Sequence, residues 1–269
     1  MFFKLFTGIT CCLSVSTLPL FSTGIFPHTV APGVPAVHRG LWAVFDNPAG
    51  MAEQSAFSFG FSYHSGFLME QVSSKSLALG FPLKKAGVIG FGYRQYGYSL
   101  YKDQHACFAF ARSFGTAVTT GLRFDYVATR FGGEYGGTSA FSGSAGLIAR
   151  ITNSIRVGAS IFNPQRVNFS SDGTDKYPAF MLAGASWNFG GETELALGVA
   201  KSSDSKEIWK CAIRYEVSKR FFIHAAIANG AEPFSFGYNF RFSKFDIGMT
   251  SGYHQLLGFS PAFSLVFKN

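Results

Sequence analysis

The sequence predicts an all-β protein, an antiparallel transmembrane β-barrel of about 14 strands with a short N-terminal plug. Three observations predict it. First, from about residue 55 onward aromatic and aliphatic side chains recur at every second position, separated by Gly, Ser, Ala, Asn and an occasional charge. A period of two puts successive side chains on opposite faces of a strand. In Phe234-Ser235-Phe236-Gly237-Tyr238-Asn239-Phe240-Arg241-Phe242 one face is wholly aromatic and the other small or polar. A soluble sheet shows Lys, Glu and Thr to water; here the face opposite the aromatics is mostly tiny, as in a barrel with lipid outside and a polar interior. Second, the 269 residues include 31 Gly and 32 Phe but only 14% charged residues. That composition argues against an ordinary soluble enzyme. Third, no apolar run of about 18 or more residues follows the N-terminal segment, which excludes a helical membrane protein.

Residues 1–24 read as a cleaved secretory signal peptide: Lys4, then the apolar Leu5 to Phe21, then the small residues Ser22-Thr23-Gly24. A membrane anchor is the weaker reading, because Gly8, Ser14, Ser16 and Pro19 interrupt the run. A lipoprotein is weaker too, since Gly8-Ile9-Thr10 before Cys11 is a poor lipidation signal. The chain is therefore expected in a bacterial outer membrane, in contact with its lipid and lipopolysaccharide. Cleavage leaves Cys107 and Cys211, which strand parity puts on opposite faces of the wall, out of disulfide reach. The formal charge of +8 comes without a basic helix or cluster, so no nucleic acid partner is expected.

Residues 25–53 break the alternation. Pro27, Pro32 and Pro35 make an extended lead, and Val37–Ala52 reads as short helix and turn around Asn47-Pro48-Ala49-Gly50. Fourteen strands enclose more space than their own Gly, Ser and Ala can fill, so this segment is expected as a plug.

Residues 54–269 form the barrel. Strands are expected near 56–63, 73–81, 87–95, 104–112, 116–129, 139–151, 155–162, 180–189, 194–200, 208–217, 221–228, 234–242, 245–253 and 259–267. Tight links such as Asn153-Ser154, Gly190-Gly191 and Ser243-Lys244 follow the even strands, and generally longer ones, above all Asn163–Pro178, follow the odd strands. Alternating short periplasmic turns and longer outer loops are a barrel property, and they put both termini on the periplasmic side.

Parity also sorts the charges. Arg123, Asp125, Arg150, Arg156, Lys210, Arg214, Glu216, Arg241 and Asp246 all fall on the inner face. The cations face Asp125, Glu216 and Asp246. Two readings stay open: a salt-bridged filling that stiffens the lumen, or a cationic eyelet favouring anionic solutes.

The stretch Gly40-Leu41-Trp42-Ala43-Val44-Phe45-Asp46-Asn47-Pro48-Ala49-Gly50-Met51-Ala52 resembles the Asn-Pro-Ala-Gly-(Leu/Met)-Ala segment ahead of the first strand in the long-chain fatty acid transporter (FadL) family. It is still more similar to the PorV/PorQ branch of Bacteroidota, as is Tyr253-His254-Gln255 followed by Leu257-Gly258-Phe259-Ser260-Pro261. The FadL resemblance implies passage of hydrophobic molecules, with Asn47, Pro48, Ala49 and Gly50 in the hatch and binding region. The PorV/PorQ resemblance implies a partner or shuttle subunit in type IX secretion. On physical grounds Asn47-Pro48 ends or turns a helix, and the Asn side chain can bond nearby backbone, either to anchor the plug or to contact ligand.

Catalytic signals are poor. The six His show no metal-ligand spacing, Gly132-Gly133 and Gly136-Gly137 precede no helix, and His254 lies near Ser251 at turn spacing only. Neither an enzyme nor a cofactor is expected. The expected function is a non-catalytic accessory or docking subunit with a secretion or envelope protein partner. Short loops and a charged lumen, where a lipid conduit should be greasy, motivate it. The alternative is FadL-like passive transport of small hydrophobic or anionic molecules.

Overall fold

The computed structural model describes residues 34–133, 136–169, 176–230 and 232–269. The expected signal peptide and residues 25–33 lie outside them. Fourteen antiparallel strands form a closed barrel, each paired with its neighbours in sequence. They are β1 Ser58–Ser65, β2 Ser73–Pro82, β3 Val88–Tyr98, β4 Tyr101–Phe114, β5 Val118–Phe131, β6 Gly137–Arg150 and β7 Ile155–Phe162. The second half holds β8 Phe180–Phe189, β9 Thr193–Ser202, β10 Ile208–Ser218, β11 Phe221–Ala228, β12 Phe234–Phe242, β13 Phe245–His254 and β14 Gly258–Lys268. Closure runs from Ser58 opposite Lys268 to His64 opposite Ala262, so no sheet edge is left open. No helix among the described residues is long and apolar enough to cross a membrane.

The wall has the expected orientation. On β5 Leu122 and Phe124 are 63% and 70% exposed, while Arg123 and Asp125 between them are buried on the lumen side. Trp209, Ile213, Tyr215 and Val217 likewise project outward from β10. Aromatic rings meet across neighbouring strands on this outer surface, as Phe91 meets Phe108 with centroids 5.0 Å apart. Cross-strand aromatic pairs of this kind stabilise a ladder whose outer face has only lipid to pack against.

Strands β3 and β4 run past their expected limits at Gln95 and Gln104. Their ladder continues through Tyr96 opposite Asp103 to Tyr98 opposite Tyr101, and the hairpin closes through Ser99 and Leu100. The long link expected after the third strand is thus a tight turn. Alternation of apolar and small residues marks only the part of a strand that meets lipid. Beyond it the backbone ladder still satisfies every N–H and C=O, so polar residues extend the pairing unmarked.

Residues 34–53 lie inside the barrel as a 3-10 turn Pro35–Val37, one turn of helix α1 Ala43–Asp46 and a second 3-10 turn Pro48–Glu53. Ala43, Val44, Ala49 and Met51 are fully buried. What admits them is the absence of side chains on the wall. A Cβ on Gly146 (β6) would lie 2.0 Å from Asn47 Oδ1, one on Gly158 (β7) 2.1 Å from the Ala36 carbonyl oxygen, and one on Gly121 (β5) 2.4 Å from the Pro48 carbonyl carbon. On β3, Gly90 gives the same room to Met51 at 2.2 Å. Each of these approaches is closer than any real Cβ allows, so the tiny inner face is a seat moulded to the segment.

Two expectations follow. Phe124→Arg puts a charge on the lipid face and should destabilise the barrel by about 2–4 kcal/mol in urea unfolding from lipid vesicles; an unchanged midpoint would contradict the orientation. Gly146→Val should leave strand content unchanged by circular dichroism but unseat residues 34–53, making Arg39 cleavable by trypsin in the folded protein. A segment as trypsin-resistant as in the parent would contradict the seat.

Candidate functional site

Asn47 ties the internal segment to the wall. Its side chain is wholly buried, and Oδ1 accepts from the Ala49 amide at 3.1 Å. Nδ2 donates to the Ala36 carbonyl at 2.6 Å and, more weakly, to the carbonyls of Leu147 and Ala159 at 3.3 Å each. One amide thus joins both 3-10 turns of the segment to two adjacent strands. Pro48 suits the first position after this cap, where no N–H is needed. Gly50 is obligatory for a different reason: a Cβ there would lie 1.9 Å from the His38 carbonyl oxygen. Ala49 packs onto the bare backbone at Gly121. His38 Nδ1 meets Asp46 Oδ2 at 2.9 Å, folding the segment back on itself. The Asp46 carbonyl accepts from Ser160 Oγ of β7 at 3.0 Å.

On the long-loop side of this segment the wall supplies an ionic cluster. Arg123 Nε and Asp125 Oδ1 are 2.7 Å apart, and Arg123 also donates to the Val44 carbonyl at 2.7 Å. Asp125 is bonded besides by His105 Nε2 at 2.7 Å and by Ser144 Oγ. Arg94, whose importance sequence reading missed, stacks 4.6 Å from the Phe45 ring centroid. Contrary to the scattered look of the histidines in sequence, His105, Cys107 and Asp125 bring potential metal-ligand atoms within 4.8 Å of one another. Sequence distance hides this, because Asp125 stands directly opposite Cys107 in the β4–β5 ladder. The Asp125 carboxylate is already engaged by a guanidinium, an imidazole and a hydroxyl, so the cluster reads as an ion-pair network holding α1 to the wall. Cys107 and Cys211 are both free thiols.

A second set of charges lies at the turn end. Glu53 is 3.5 Å from Arg39 and 3.4 Å from Arg150. Glu194 is 3.6 Å from Arg39 and 3.8 Å from Arg214, and Asp246 pairs with Arg241 at 3.2 Å and with Lys268. Glu216 acts on Arg214 only at longer range, with no salt bridge to it among the described residues. The nearer partner of Arg214 is Glu194, directly opposed to it on β9. Opposed side chains on neighbouring strands lie about 5 Å apart, closer than residues i and i+2 along one strand. Arg156 lies beside this network, and Lys210 is half-buried further along β10, within electrostatic reach of Asp46 and Glu232.

The lumen is greasier than expected. Phe162, Phe180 and Leu182 point inward, and rings run from the loop end to the internal segment. Tyr177 meets Phe162 at 5.7 Å, Phe162 meets His105 at 5.9 Å, His105 meets Phe45 at 6.1 Å, and Phe45 stacks on Trp42 at 6.3 Å. Sequence reading missed Phe162, Tyr177 and Phe180 because they sit at the end of a strand or in a loop, where alternation no longer assigns a face. Asn163, fully buried, ties the two described ends of the β7–β8 connection together: its Nδ2 donates to the carbonyls of Tyr177 at 2.6 Å and Pro178 at 3.3 Å. Burial pushes the Tyr177 phenol well above its ordinary pKa, helped by Asp103 and Asp125, so it stays neutral. Where the column reaches Phe45, Arg94 and His105 the free space is only about 40 Å³. The internal segment lies at the end of this column.

The catalytic pair weighed in sequence is not assembled. Ser251 shares the outward parity of Met249 and Tyr253, while His254 Nδ1 accepts from the amides of Leu256 and Leu257 at 3.2 Å each and caps the turn.

No family model matches this sequence, and no curated protein is significantly similar to it. Solved structures do match its fold. The P. putida toluene transporter TodX superimposes with a TM-score of 0.64 over 86% of this chain and 94% of its own, at 12% identity. The monoaromatic hydrocarbon channel CymD matches at 0.63 over 90% and 97%, with 13% identity. A Pseudomonas aeruginosa FadL homologue matches at 0.61 over 90% and 96%, with 11% identity. The chain thus shares the fold of FadL-type channels.

Proposed function

We propose that this chain is a FadL-like outer-membrane channel for passive entry of small hydrophobic molecules, stopped in its resting form by residues 34–53. The observation that carries the reading is the column of rings from Tyr177 to Trp42, ending on the internal segment. Rings in succession suit an apolar or amphipathic solute. The likeness of fold to hydrocarbon channels supports transport over the docking-subunit role. In this reading the tight turns face the periplasm, and the aromatic exterior contacts lipid and lipopolysaccharide. Residues 1–24 serve as the export signal. No catalytic step is assigned to any residue. The PorV/PorQ-like role rests on the stretch Gly40–Ala52 and on Tyr253–Pro261, and the Asn47-Pro48-Ala49-Gly50 core of the first is shared with the FadL branch.

Uptake of the hydrophobic dye 1-N-phenylnaphthylamine by cells with intact lipopolysaccharide is the direct test. Cells producing this chain should fill faster than vector-only cells, and Phe162→Asp should abolish the gain at equal surface abundance. In planar bilayers the parent should carry little ion current, and deletion of residues 34–53 should open a steady conductance. Dye uptake at the vector-only rate, together with recovery of a stoichiometric envelope partner from native membranes, would establish the docking role instead.

A further inference from the structure

The outward face of β2–β5 changes character along its length, and the ladder places each change on one rung. Phe91, Phe108 and Phe124 stand opposite one another, and Tyr93, Ala106 and Tyr126 form the next outward rung toward the long-loop end. Two residues further come Lys75, Gln95, Gln104 and Ala128, and beyond them Gly97, Lys102, Arg130 and Gly137. Each rung lies about 7 Å past the last. Tyrosine favours the boundary between hydrocarbon and headgroups. The three cations therefore stand one and two rungs above that boundary, at the depth of lipid phosphates.

A second, independent feature points to an anion. Lys102 and Arg130 are directly opposed across β4 and β5, and like charges so placed repel. Lys75 and Arg130 are exposed and Lys102 half-buried. None of the three has a carboxylate within salt-bridge distance among the described residues. Asp103, next to Lys102 in sequence, faces the lumen and is taken by the Tyr101 hydroxyl at 2.8 Å and by Thr129. On β9, Lys201 also points outward at the long-loop end, opposite Met181, but there Glu207 lies 3.4 Å from it. The β2–β5 face thus carries cations that the protein itself does not balance. Gln104 Nε2 donates to the Tyr93 hydroxyl at 2.7 Å and that hydroxyl to Gln95 Oε1 at 3.4 Å. Gln95 Nε2 is left as a further donor between Lys75 and Lys102.

We propose that the outward face of β2–β5 is a binding site for the phosphorylated disaccharide of an outer-leaflet glycolipid, the lipid A part of lipopolysaccharide. Lys102 and Arg130 hold one phosphate between them, which turns their repulsion into a shared charge-assisted contact. Lys75 takes a second phosphate, about 12 Å away by strand spacing and rise. That separation suits a disaccharide phosphorylated at both ends. The acyl chains run over Phe91, Phe108 and Phe124. A soluble anion would leave the aromatic rungs unused, and a lipid with one phosphate would leave Lys75 unused. The inference rests on the orientation given above, with the tight turns facing the periplasm, and adds a specific lipid partner to it.

Native mass spectrometry of the full chain in detergent, titrated with bisphosphorylated lipid A, tests this. The barrel should retain lipid A saturably. Lipid A stripped of its phosphates and phosphatidylglycerol should each bind about tenfold or more weaker, and inorganic phosphate should not compete. Lys102→Gln and Arg130→Gln should each weaken lipid A about tenfold. Lys201→Gln, which removes an outward lysine that already has a partner, should leave it unchanged, with equal strand content by circular dichroism in all variants. Equal retention of the stripped lipid, phosphatidylglycerol bound as tightly as lipid A, an equal loss in Lys201→Gln, or no lipid A retained by a folded barrel would each overturn the proposal. Lipid A binding without dye uptake would remove the transport reading and keep the site; dye uptake without lipid A binding would do the reverse.

Discussion

The structure depends on one steric constraint: the inner wall must lack side chains where residues 34–53 approach it. Gly121, Gly146 and Gly158 bring the backbones of β5, β6 and β7 to within bonding distance of Asn47 and its neighbours. Glycine inside a strand normally weakens it, through lost packing and backbone entropy. Here the barrel can bear that cost, because closure pairs every strand on both sides and the internal segment supplies the packing that the glycines omit. Bare wall and buried segment are thus complementary halves of one core.

Charge follows from the same arrangement. With apolar rings turned to lipid, ionic groups have only the lumen to occupy, and there they must be paired or solvated. The two clusters solve this differently. Around Asp125 the partners are fully buried and point at α1, fixing the loop side of the segment. At the turn end the ions share partners and keep partial exposure. Of the two readings of the inner charges weighed in sequence, the paired filling is the one these contacts describe.

The barrel was legible because two-residue alternation is a local signal repeated strand after strand, as in Phe234–Phe242, and parity alone places Arg123, Asp125, Arg241 and Asp246 inside. What escaped was whatever depends on register between strands. Cys107 beside Asp125, or Arg214 beside Glu194, requires knowing which residues stand opposite, and period two says nothing about that. The extension of β3 and β4 escaped because polar pairs such as Gln95 and Gln104 carry no lipid signature. Asn47 was singled out by its motif, but its reach to Leu147 and Ala159 needs the folded lumen. The inward rings Phe162 and Phe180 look, in sequence, like any other aromatic at the end of a strand.

The account stands on the seating of the segment around Asn47, and amide hydrogen exchange of the folded protein measures it most directly. The Ala49 and Gly50 amides, bonded to the Asn47 side chain and carbonyl at 3.1 and 2.9 Å, should exchange as slowly as amides of the central strands. Exchange of both at the rate of an unstructured peptide, while β5 and β6 remain protected, would show an unoccupied seat and contradict the account.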